Sequence, residues 1–571
     1  MSVSSLPFLH GALAAVLPKL AAWRRDFHAH PEAGWTEFRT AALIIRRLRE
    51  LGYAIRMGEA ACASDRRMGV PSSAVLAAAR ERALEHGADA ELVAGMGDGY
   101  TGFWADLDCG PGPVTAFRFD MDCNEVAECA EESHRPVREG FASRWPGLMH
   151  ACGHDGHAAV GLGLAEVLVS IRRHLRGRIR LIFQPAEEGA RGALPMSEAG
   201  AVDGVDVLFG FHIGFKAAGP GSLICGTQGF LATTKRDVLF SGVPAHAGAA
   251  PEEGKDALLA ACSAVVNLHA ISRNGKGGTR IAVGRLEGGE ARNVIPASAR
   301  LFMETRGETT ELDAYMTAES ERILRASADL WGCACEWRTV GNSAGGGSSP
   351  ELARLIATVA EAMGGWKTVI PMSGFGATED FACLMSRVQA SGGLASYLQV
   401  GTDRAAGHHS DRFDFDETCL GRALELLARL AVRMAGGGQE DTETETESDM
   451  EFLDEVVRRK GIHVQLWLEG EDGEGFGRGR VELLQLVDEL GSLSKAAKQL
   501  GMSYRGAWGK IKKAERIAGE TLVDASGTKR DGYSLTPAGR ELVQRFQQWY
   551  ADVESFAKKR AEALFSDFDK E

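Results

Sequence analysis

The chain has 571 residues, more than one hydrophobic core normally supports, so its length predicts two or three domains. A formal net charge of −14 argues against a nonspecific nucleic-acid binder, and an apolar fraction of 44% is typical of a globular protein. The 11 cysteines form no evenly spaced framework, and the early apolar run at 13–17 is too short for a membrane span and is broken by Pro18. We therefore expect a cytoplasmic protein with reduced thiols and no membrane association.

Thiol, imidazole and carboxylate side chains recur in chain order at well-separated points. They lie in the segments 150–157 (HACGHDGH) and 184–189 (QPAEEG), at His212, and in the pair His408-His409. The short apolar runs 178–183 and 205–211, which precede two of these points, predict strands. Because ligands at the carboxyl ends of α/β strands commonly form a site, we expect a metal centre whose ligand types suit Zn²⁺ or Mn²⁺ better than Ca²⁺ or Mg²⁺.

Several motifs together resemble those of the amidohydrolase branch of the M20 metallopeptidases. They are 24–32 (RRDFHAHPE), 117–122 (FRFDMD), the two segments above, 240–247 (FSGVPAHA), 289–296 (GEARNVIP) and 409–417 (HSDRFDFDE). The resemblance covers about the first 436 residues. It implies hydrolysis of the amide bond of an N-acyl or N-aroyl amino acid, such as p-aminobenzoyl-glutamate.

The resemblance also implies an α/β fold divided by an insertion. A catalytic domain at 1–226 and 343–436 would be interrupted by an α+β lid at 227–342, which often forms the dimer interface in this family. Within the lid, the pattern predicts strands near 237–240, 280–284 and 300–304 and helices at 256–271 and 312–330. The partner would be a second copy of the chain or a related subunit.

The resemblance implies two divalent metal ions per chain, Mn²⁺ or Zn²⁺. Cys152 would bridge both ions, since a thiolate has several lone pairs and the cations keep it deprotonated. His154 and His212 would complete one ion, and Glu188 and His409 the other.

Glu187 is the candidate general base and acid, taking a proton from the attacking water and giving it to the leaving amine. Adjacency alone leaves open the reverse assignment, with Glu187 as the ligand and Glu188 as the base. We expect His157 and Asp155 to support the ligands or begin a helix rather than coordinate metal, and Asp122 to orient a ligand histidine.

The resemblance places further groups around the substrate. His246 would stabilise the oxyanion formed in the active site of the partner subunit. Asn293 and Arg306 would bind the substrate carboxylate, although Arg292 competes with Arg306 for that role. Glu379 is either a pocket residue or part of an acidic pair that begins a helix.

The character of the chain changes after residue 436. The segment 437–451 is acidic and nearly free of apolar side chains, which predicts a linker. Residues 452–571 predict a winged helix-turn-helix. The pattern gives a helix at 480–490, then a short helix, a glycine-containing turn and a further helix at 503–517, followed by a wing at 527–532. This domain resembles that of the molybdate-responsive ModE regulators. The predicted DNA contacts are Tyr504, Arg505, Trp508, Lys510, Lys512, Lys529 and Arg530.

Two functions remain open from the sequence. One is an active metal-dependent amidohydrolase with an appended module that binds double-stranded DNA. The other is a transcription regulator whose hydrolase domain senses a ligand. The complete set of ligand and base residues favours the enzyme, and a helical protein-interaction module is the alternative for the carboxy-terminal domain.

Overall fold

A computed structural model describes residues 6–435, 467–469, 475–500, 502, 504–525 and 533–565. The chain divides into two compact units, Met1–Leu453 and Asp454–Glu571. The predicted linker at 437–451 lies outside the described residues. Among the described helices, none is both long and apolar enough to cross a lipid bilayer.

The first unit alternates strands and helices. Its strands are β1 (Ala54–Met57), β2 (Phe103–Asp108), β3 (Val114–Asp120), β4 (Arg178–Gln184), β5 (Val207–Ala218), β6 (Ser222–Ile224), β7 (Thr227–Phe230), β8 (Ala232–Ser241), β9 (Thr279–Gly288), β10 (Ser298–Gly307), β11 (Ala334–Ser343), β12 (Gly346–Gly347), β13 (Thr368–Ile370), β14 (Ser373–Gly374) and β15 (Leu394–Thr402). Its α-helices are α1 (Pro7–Ala29), α2 (Phe38–Glu50), α3 (Ser73–Glu85), α4 (Ala90–Gly95), α5 (Arg135–Arg138), α6 (His154–Ser170), α7 (Ala193–Glu198), α8 (Ala257–His269), α9 (Thr310–Leu330), α10 (Pro350–Met363), α11 (Phe381–Ala390) and α12 (Thr418–Ala435).

An eight-stranded sheet in the order β1-β2-β4-β3-β5-β15-β6-β13 forms the centre of the catalytic domain. The neighbours β4, β3, β5 and β15 run parallel to one another, so their carboxyl ends share one edge of the sheet. The apolar runs at 178–183 and 205–211 correspond to strands β4 and β5, which are buried from Ile179 and from Val207 onward in these runs.

Helices cover both faces of this sheet. Helix α6 packs on the face of Phe119 and Phe211, and a Cβ on its Gly161 would lie 2.8 Å from the Phe119 ring. Gly210 lies next to Phe211 and so points to the opposite face, where the ring of Phe381 from α11 would meet a Cβ at 2.8 Å. Close helix packing on both faces explains why the strands are apolar throughout.

The inserted lid is an antiparallel sheet in the order β11-β8-β10-β9, against which α8 and α9 pack. Both helices and all three strands expected from the sequence are present. The strands β9 and β10 are longer than expected, because they pair with each other from Thr279 to Gly288 and from Ala299 to Gly307. Small side chains on α8, such as Ala260, Ala261 and Ala264, are fully buried and allow this close approach.

The second unit contains the expected helix-turn-helix. Its helices are Arg478–Leu490, Leu493–Gln499, Tyr504–Ala518 and Pro537–Phe565, and its strands are Trp467–Glu469, Gly475–Gly477, Val523–Ala525 and Tyr533–Leu535. The last two strands pair antiparallel on either side of the wing. Buried Ala496, Ala497 and Ala507 let the two helices of the motif approach closely. The wing residues Lys529 and Arg530 lie outside the described residues.

Candidate metal centre

The ligand candidates collect at the shared edge of the central sheet. Cys152 and His154 flank Gly153, which precedes α6 and has a φ of 97°, a left-handed conformation that favours glycine. Glu188 follows the end of β4, and His409 lies in the loop after β15. His212 lies inside β5 instead of at its end, because β15 pairs with β5 as far as Ala218.

The structure brings all five predicted ligands together in two groups that share one residue. The ligand atoms of Cys152, His154 and His212 lie within 4.8 Å of one another, as do those of Cys152, Glu188 and His409. The Cys152 Sγ lies 3.4 Å from the His212 Nε2, and the Glu188 Oε1 lies 3.2 Å from the His409 Nε2. These groups are consistent with the partition that the resemblance implies. His154 also lies within 4.8 Å of Glu187 and Glu188, so the assignment of ligands to each ion stays a prediction.

Hydrogen bonds set which imidazole nitrogen faces the centre. The Nδ1 of His154 lies 2.9 Å from the main-chain oxygen of Asp122, and the Nδ1 of His212 lies 2.9 Å from that of Ile213. Because a carbonyl only accepts, each Nδ1 carries a proton, and the Nε2 of the neutral ring is the nitrogen that can present a lone pair to a cation.

Among the five candidate ligands, two buried side-chain atoms have no hydrogen-bond partner in the described part of the chain: the His154 Nε2 and the Glu188 Oε1. Although that oxygen approaches His409, the geometry of the contact is not that of a hydrogen bond. Unsatisfied buried acceptors are costly unless a ligand meets them, so the donor set fits divalent cations.

His157 is differently placed. Its Nδ1 donates to Asp120 at 2.5 Å, and its Nε2 accepts the N–H of Ile213 at 3.0 Å. Both ring nitrogens are therefore occupied by protein groups, which supports the expectation that His157 braces the site and does not bind metal.

Asp122 acts through both its main chain and its side chain. Its carbonyl orients His154, while its carboxylate accepts the N–H groups of Glu187 at 3.0 Å and Glu188 at 2.9 Å. The expected orientation of a histidine is thus supplied by the main chain, and the carboxylate holds the adjacent glutamates.

The two adjacent glutamates have opposite electrostatic environments. Burial, followed by the carboxylates of Glu379 and Glu188, raises the pKa of Glu187 well above its usual value. Burial also acts to raise the pKa of Glu188, but the nearby imidazoles of His409 and His154 lower it to about 2. This contrast favours Glu187 as the proton carrier and Glu188 as the anionic ligand.

The sequence did not single out the buried guanidinium of Arg118. It donates to Asp120, to Gln184 at 2.8 Å, to Glu379 at 3.0 Å and to Asp380 at 3.3 Å. An arginine between phenylalanines in a buried strand was the available signal, because a buried cation needs anionic partners.

Glu379 is buried and already engaged by protein donors. Its Oε1 accepts from Arg118 and from the N–H of Phe381, and its Oε2 accepts from the Tyr397 hydroxyl at 2.6 Å. Its carboxylate also lies within 4.8 Å of those of Glu187 and Asp380. Substrate binding by Glu379 stays a prediction, and the geometry places it beside the candidate base.

The lid candidates lie on exposed surface. The Nδ1 of His246 accepts the N–H groups of Gly248 and Ala249, both at 3.1 Å, so the Nε2 of a neutral ring carries the proton. Ala247 donates to the main-chain oxygen of Asn293, which places these two candidates on adjoining loops.

The two arginine candidates for the carboxylate differ in their contacts. Arg306 donates from Nε to Glu304 at 2.8 Å, whereas Arg292 is exposed on the loop beside Asn293.

In the second unit, the recognition-helix candidates divide into two kinds. Arg505 and Lys510 are exposed, while the Lys512 Nζ pairs with Glu515 at 2.7 Å and lies 4.7 Å from the centre of the Trp508 ring. The Tyr504 hydroxyl lies 2.9 Å from that of Tyr533 on the wing strand, and Trp508 contacts the same tyrosine ring.

A thiol shared by two ligand groups, with a further carboxylate alongside, would suit a hydrolase centre for two cations. The sequence profile of Peptidase family M20/M25/M40 matches residues 116–433, and the chain belongs to this family. A second profile, bacterial regulatory helix-turn-helix protein of the lysR family, matches residues 479–540. The expected helix-turn-helix is thereby confirmed, and the finer likeness to ModE regulators stays an expectation.

Two relatives of named activity cover most of the first unit. Indole-3-acetyl-aspartic acid hydrolase of Enterobacter agglomerans is 44% identical over 429 residues, 75% of this chain and 98% of that protein. One of the subunits of the p-aminobenzoyl-glutamate hydrolase of Escherichia coli K12 is 46% identical over 420 residues, 73% of this chain and 96% of that protein.

Solved structures of related proteins have the same fold over the first unit. The aminobenzoyl-glutamate utilization protein of Klebsiella pneumoniae has a TM-score of 0.63 at 39% identity, covering 74% of this chain and 98% of its own. The YXEP protein of Bacillus subtilis, described as a dinuclear metal binding peptidase of the M20 family, has a TM-score of 0.51 at 25% identity, covering 73% and 98%. The chain is therefore an M20 amidohydrolase that also carries a helix-turn-helix region.

Replacing the shared thiol should affect both cation positions. We expect Cys152→Ala to reduce the bound metal of the purified protein from about two ions per chain to less than one. Elemental analysis after dialysis against Mn²⁺ or Zn²⁺ measures this. Cys225→Ala, at another buried cysteine, should keep the wild-type stoichiometry. Equal metal content in the two variants would contradict the role of Cys152.

Proposed function

We propose that the protein hydrolyses the amide bond of an N-acyl or N-aroyl amino acid and uses two divalent cations, Mn²⁺ or Zn²⁺. The observation that carries this proposal is the pair of ligand groups sharing Cys152, with Glu187 beside them. The names of the two relatives describe substrates in which an aromatic acyl group is joined to an acidic amino acid. An acidic substrate of this kind, p-aminobenzoyl-glutamate among them, is the class we infer.

Bound cations would polarise the scissile carbonyl and lower the pKa of the attacking water. Glu187 holds the proton that this step releases and delivers it to the leaving amine, for which a carboxyl with a raised pKa is suited. Glu188, with its lowered pKa, stays anionic as a ligand. Asp122 holds both glutamates in these directions through their N–H groups.

Removing the acid of Glu187 without changing its shape should stop proton transfer alone. We expect Glu187→Gln to lower kcat by about 10²–10⁴-fold with bound metal unchanged. Steady-state hydrolysis of p-aminobenzoyl-glutamate and of an N-acyl amino acid panel, together with elemental analysis, tests this. Glu81→Gln, at an exposed glutamate, is the matched control. Full turnover by Glu187→Gln would exclude Glu187 as the base and favour the reverse assignment.

We also propose that the lid pairs two chains, as a homodimer or with a related subunit. On α8 of the lid, Leu259 is 42% exposed and Val266 is 71% exposed. Both lie on a different face of the helix from its buried alanines, so α8 presents apolar surface to the outside. The Escherichia coli relative is named as one of the subunits of its hydrolase, which is consistent with an assembly. His246, with its Nε2 proton free, would then donate to the oxyanion formed in the partner's site, and Asn293 and Arg306 would bind the substrate carboxylate there.

Action across the interface predicts complementation. His246→Ala and Glu187→Gln chains should each be inactive, and mixing them after dissociation should restore part of the activity, because hybrid dimers contain one intact site. The activity of the remixed sample against each variant alone gives the measurement. A protein that is strictly monomeric and fully active would exclude this proposal.

The helix-turn-helix region supports a second function, specific binding of double-stranded DNA. Arg505 and Lys510 are exposed on the first turns and the middle of the helix Tyr504–Ala518, where this motif contacts bases and phosphates. The whole-chain charge of −14 repels DNA at long range, so binding should depend on this local surface and weaken steeply with salt. In the alternative, the hydrolase domain senses a ligand for this module.

The two exposed cations should affect binding differently. Arg505→Ala should relax sequence preference at a cost of about 1–3 kcal/mol, whereas Lys510→Ala should weaken all sequences alike and lower the salt slope by about one. Fluorescence anisotropy of the full chain on genomic fragments at several salt concentrations measures both. Arg545→Ala, on the last helix, is the control. Binding no stronger than that of an unrelated acidic protein would mean that the region mediates protein contacts.

A further inference from the structure

The main-chain N–H groups of three consecutive residues, Ala186, Glu187 and Glu188, each donate to a side-chain carboxyl group. Those of Glu187 and Glu188 donate to Asp122, and that of Ala186 donates to the Glu37 Oε1 at 2.8 Å. Ala186 has a φ of 50°, a left-handed conformation that an alanine rarely adopts. Such a turn persists only where surrounding contacts hold it, and it directs successive N–H groups toward anions.

Glu37 reaches this turn from a distant part of the chain. It is fully buried and precedes α2, 149 residues before Ala186. Its second oxygen, Oε2, accepts the hydroxyl of Thr101 at 2.6 Å, and Thr101 is also fully buried. Burial and the neighbouring carboxylate of Asp122 raise the pKa of Glu37 to about 8. Each of its two oxygens has a hydrogen-bond partner, as a buried carboxyl group requires.

Capping of α2 does not account for this carboxylate. Glu37 occupies the position before the helix, yet its side chain accepts none of the N–H groups at the start of α2 within the described chain. That task falls to Glu32, which is buried and accepts the N–H groups of Arg39 at 2.9 Å and Thr40 at 2.8 Å. The Glu37 side chain is directed to the Ala186 turn instead.

We propose that Glu37 is a positioning residue for hydrolysis, holding the Ala186 turn so that Glu187 faces the reacting water and Glu188 faces the cation. Without that bond the N–H of Ala186 loses its acceptor, and the turn keeps the Asp122 contacts together with the main-chain bonds from Arg191 to Ala186 and from Ala190 to Glu187. The left-handed Ala186 then relaxes and turns the Glu187 side chain away from its direction beside His154, whose Nε2 lies 4.0 Å from the Glu187 Oε2. The inference rests on the proposed hydrolase function of this site.

The test compares two substitutions at Glu37 with the same two at Glu32. Glu37→Gln keeps an acceptor for Ala186 and a group that bonds to Thr101, whereas Glu37→Met has similar length and no acceptor. Glu32→Met loses both cap bonds of α2, and Glu32→Gln keeps only one, because the N–H groups of Arg39 and Thr40 bond to different oxygens. These two variants report the cost of losing a buried carboxyl group in the same region. Thr101→Val is the additional variant, and it releases the second oxygen of Glu37.

The first readout is hydrogen exchange of the segment 184–189 in metal-free protein. We expect the amides of Ala186, Glu187 and Glu188 to exchange faster in Glu37→Met and in Thr101→Val, and to keep wild-type protection in Glu37→Gln and Glu32→Met. This arm requires no catalysis. If Glu37→Met does not fold, Thr101→Val and Glu37→Gln supply the comparison.

The second readout is steady-state kinetics of the metal-loaded full chain. Glu37→Met should lower kcat by about 10²-fold with KM within about threefold, because misplacement of a reacting group by about 1 Å has an effect of that size. Glu37→Gln should recover most of kcat, and Glu32→Met should lower thermal stability without this loss. Wild-type exchange at 184–189 in both Glu37→Met and Thr101→Val, or equal kcat in Glu37→Met and Glu32→Met, would overturn the proposal. Absence of hydrolysis by the wild type would instead refute the proposed function, with the exchange result still deciding the role of Glu37.

Discussion

The buried guanidinium of Arg118 is the interaction on which the rest of the site depends. Asp120, Glu379 and Asp380 are all buried at the edge of the central sheet, and each accepts from this one cation. Buried carboxylates that lack a cation or a hydrogen bond become protonated or destabilise the fold. Removing one partner of such a buried cluster typically costs about 3–5 kcal/mol. Arg118 therefore stabilises a cluster of three buried carboxylates next to a centre that also needs anionic ligands.

This carboxylate cluster affects the chemistry of the adjacent residues Glu187 and Glu188. Asp120 accepts a hydrogen bond from His157. Glu379 and Asp380 lie beside Glu187, and their negative charge disfavours its ionised form. Glu188 lies one residue further along and meets imidazole groups instead. Two identical side chains in sequence thus acquire different chemistry from opposite surroundings, one suited to moving a proton and the other to holding a cation.

The strands that carry the site could be predicted from the sequence because their signals are local. The apolar runs at 178–183 and 205–211 correspond to β4 and β5. Strand β4 ends at Gln184 as expected, whereas β5 continues past His212 to Ala218. The lid helices follow from apolar spacing in the same way, since periodicity reflects one buried face. The position of His212 inside β5 was not predictable, because the extra length of that strand comes from pairing with β15, nearly two hundred residues away.

The sequence by itself determined the family, the residue types of the centre and the helix-turn-helix region, because motif spacing and side-chain chemistry are properties of the chain alone. Only the tertiary structure decided which distant residues are in contact: that Arg118 joins β3 to the start of α11, and that Glu37 reaches Ala186. Both contacts join residues more than one hundred positions apart. No local pattern encodes them, because a buried charge is satisfied by whichever partner the packing of the strands and helices brings within hydrogen-bond distance.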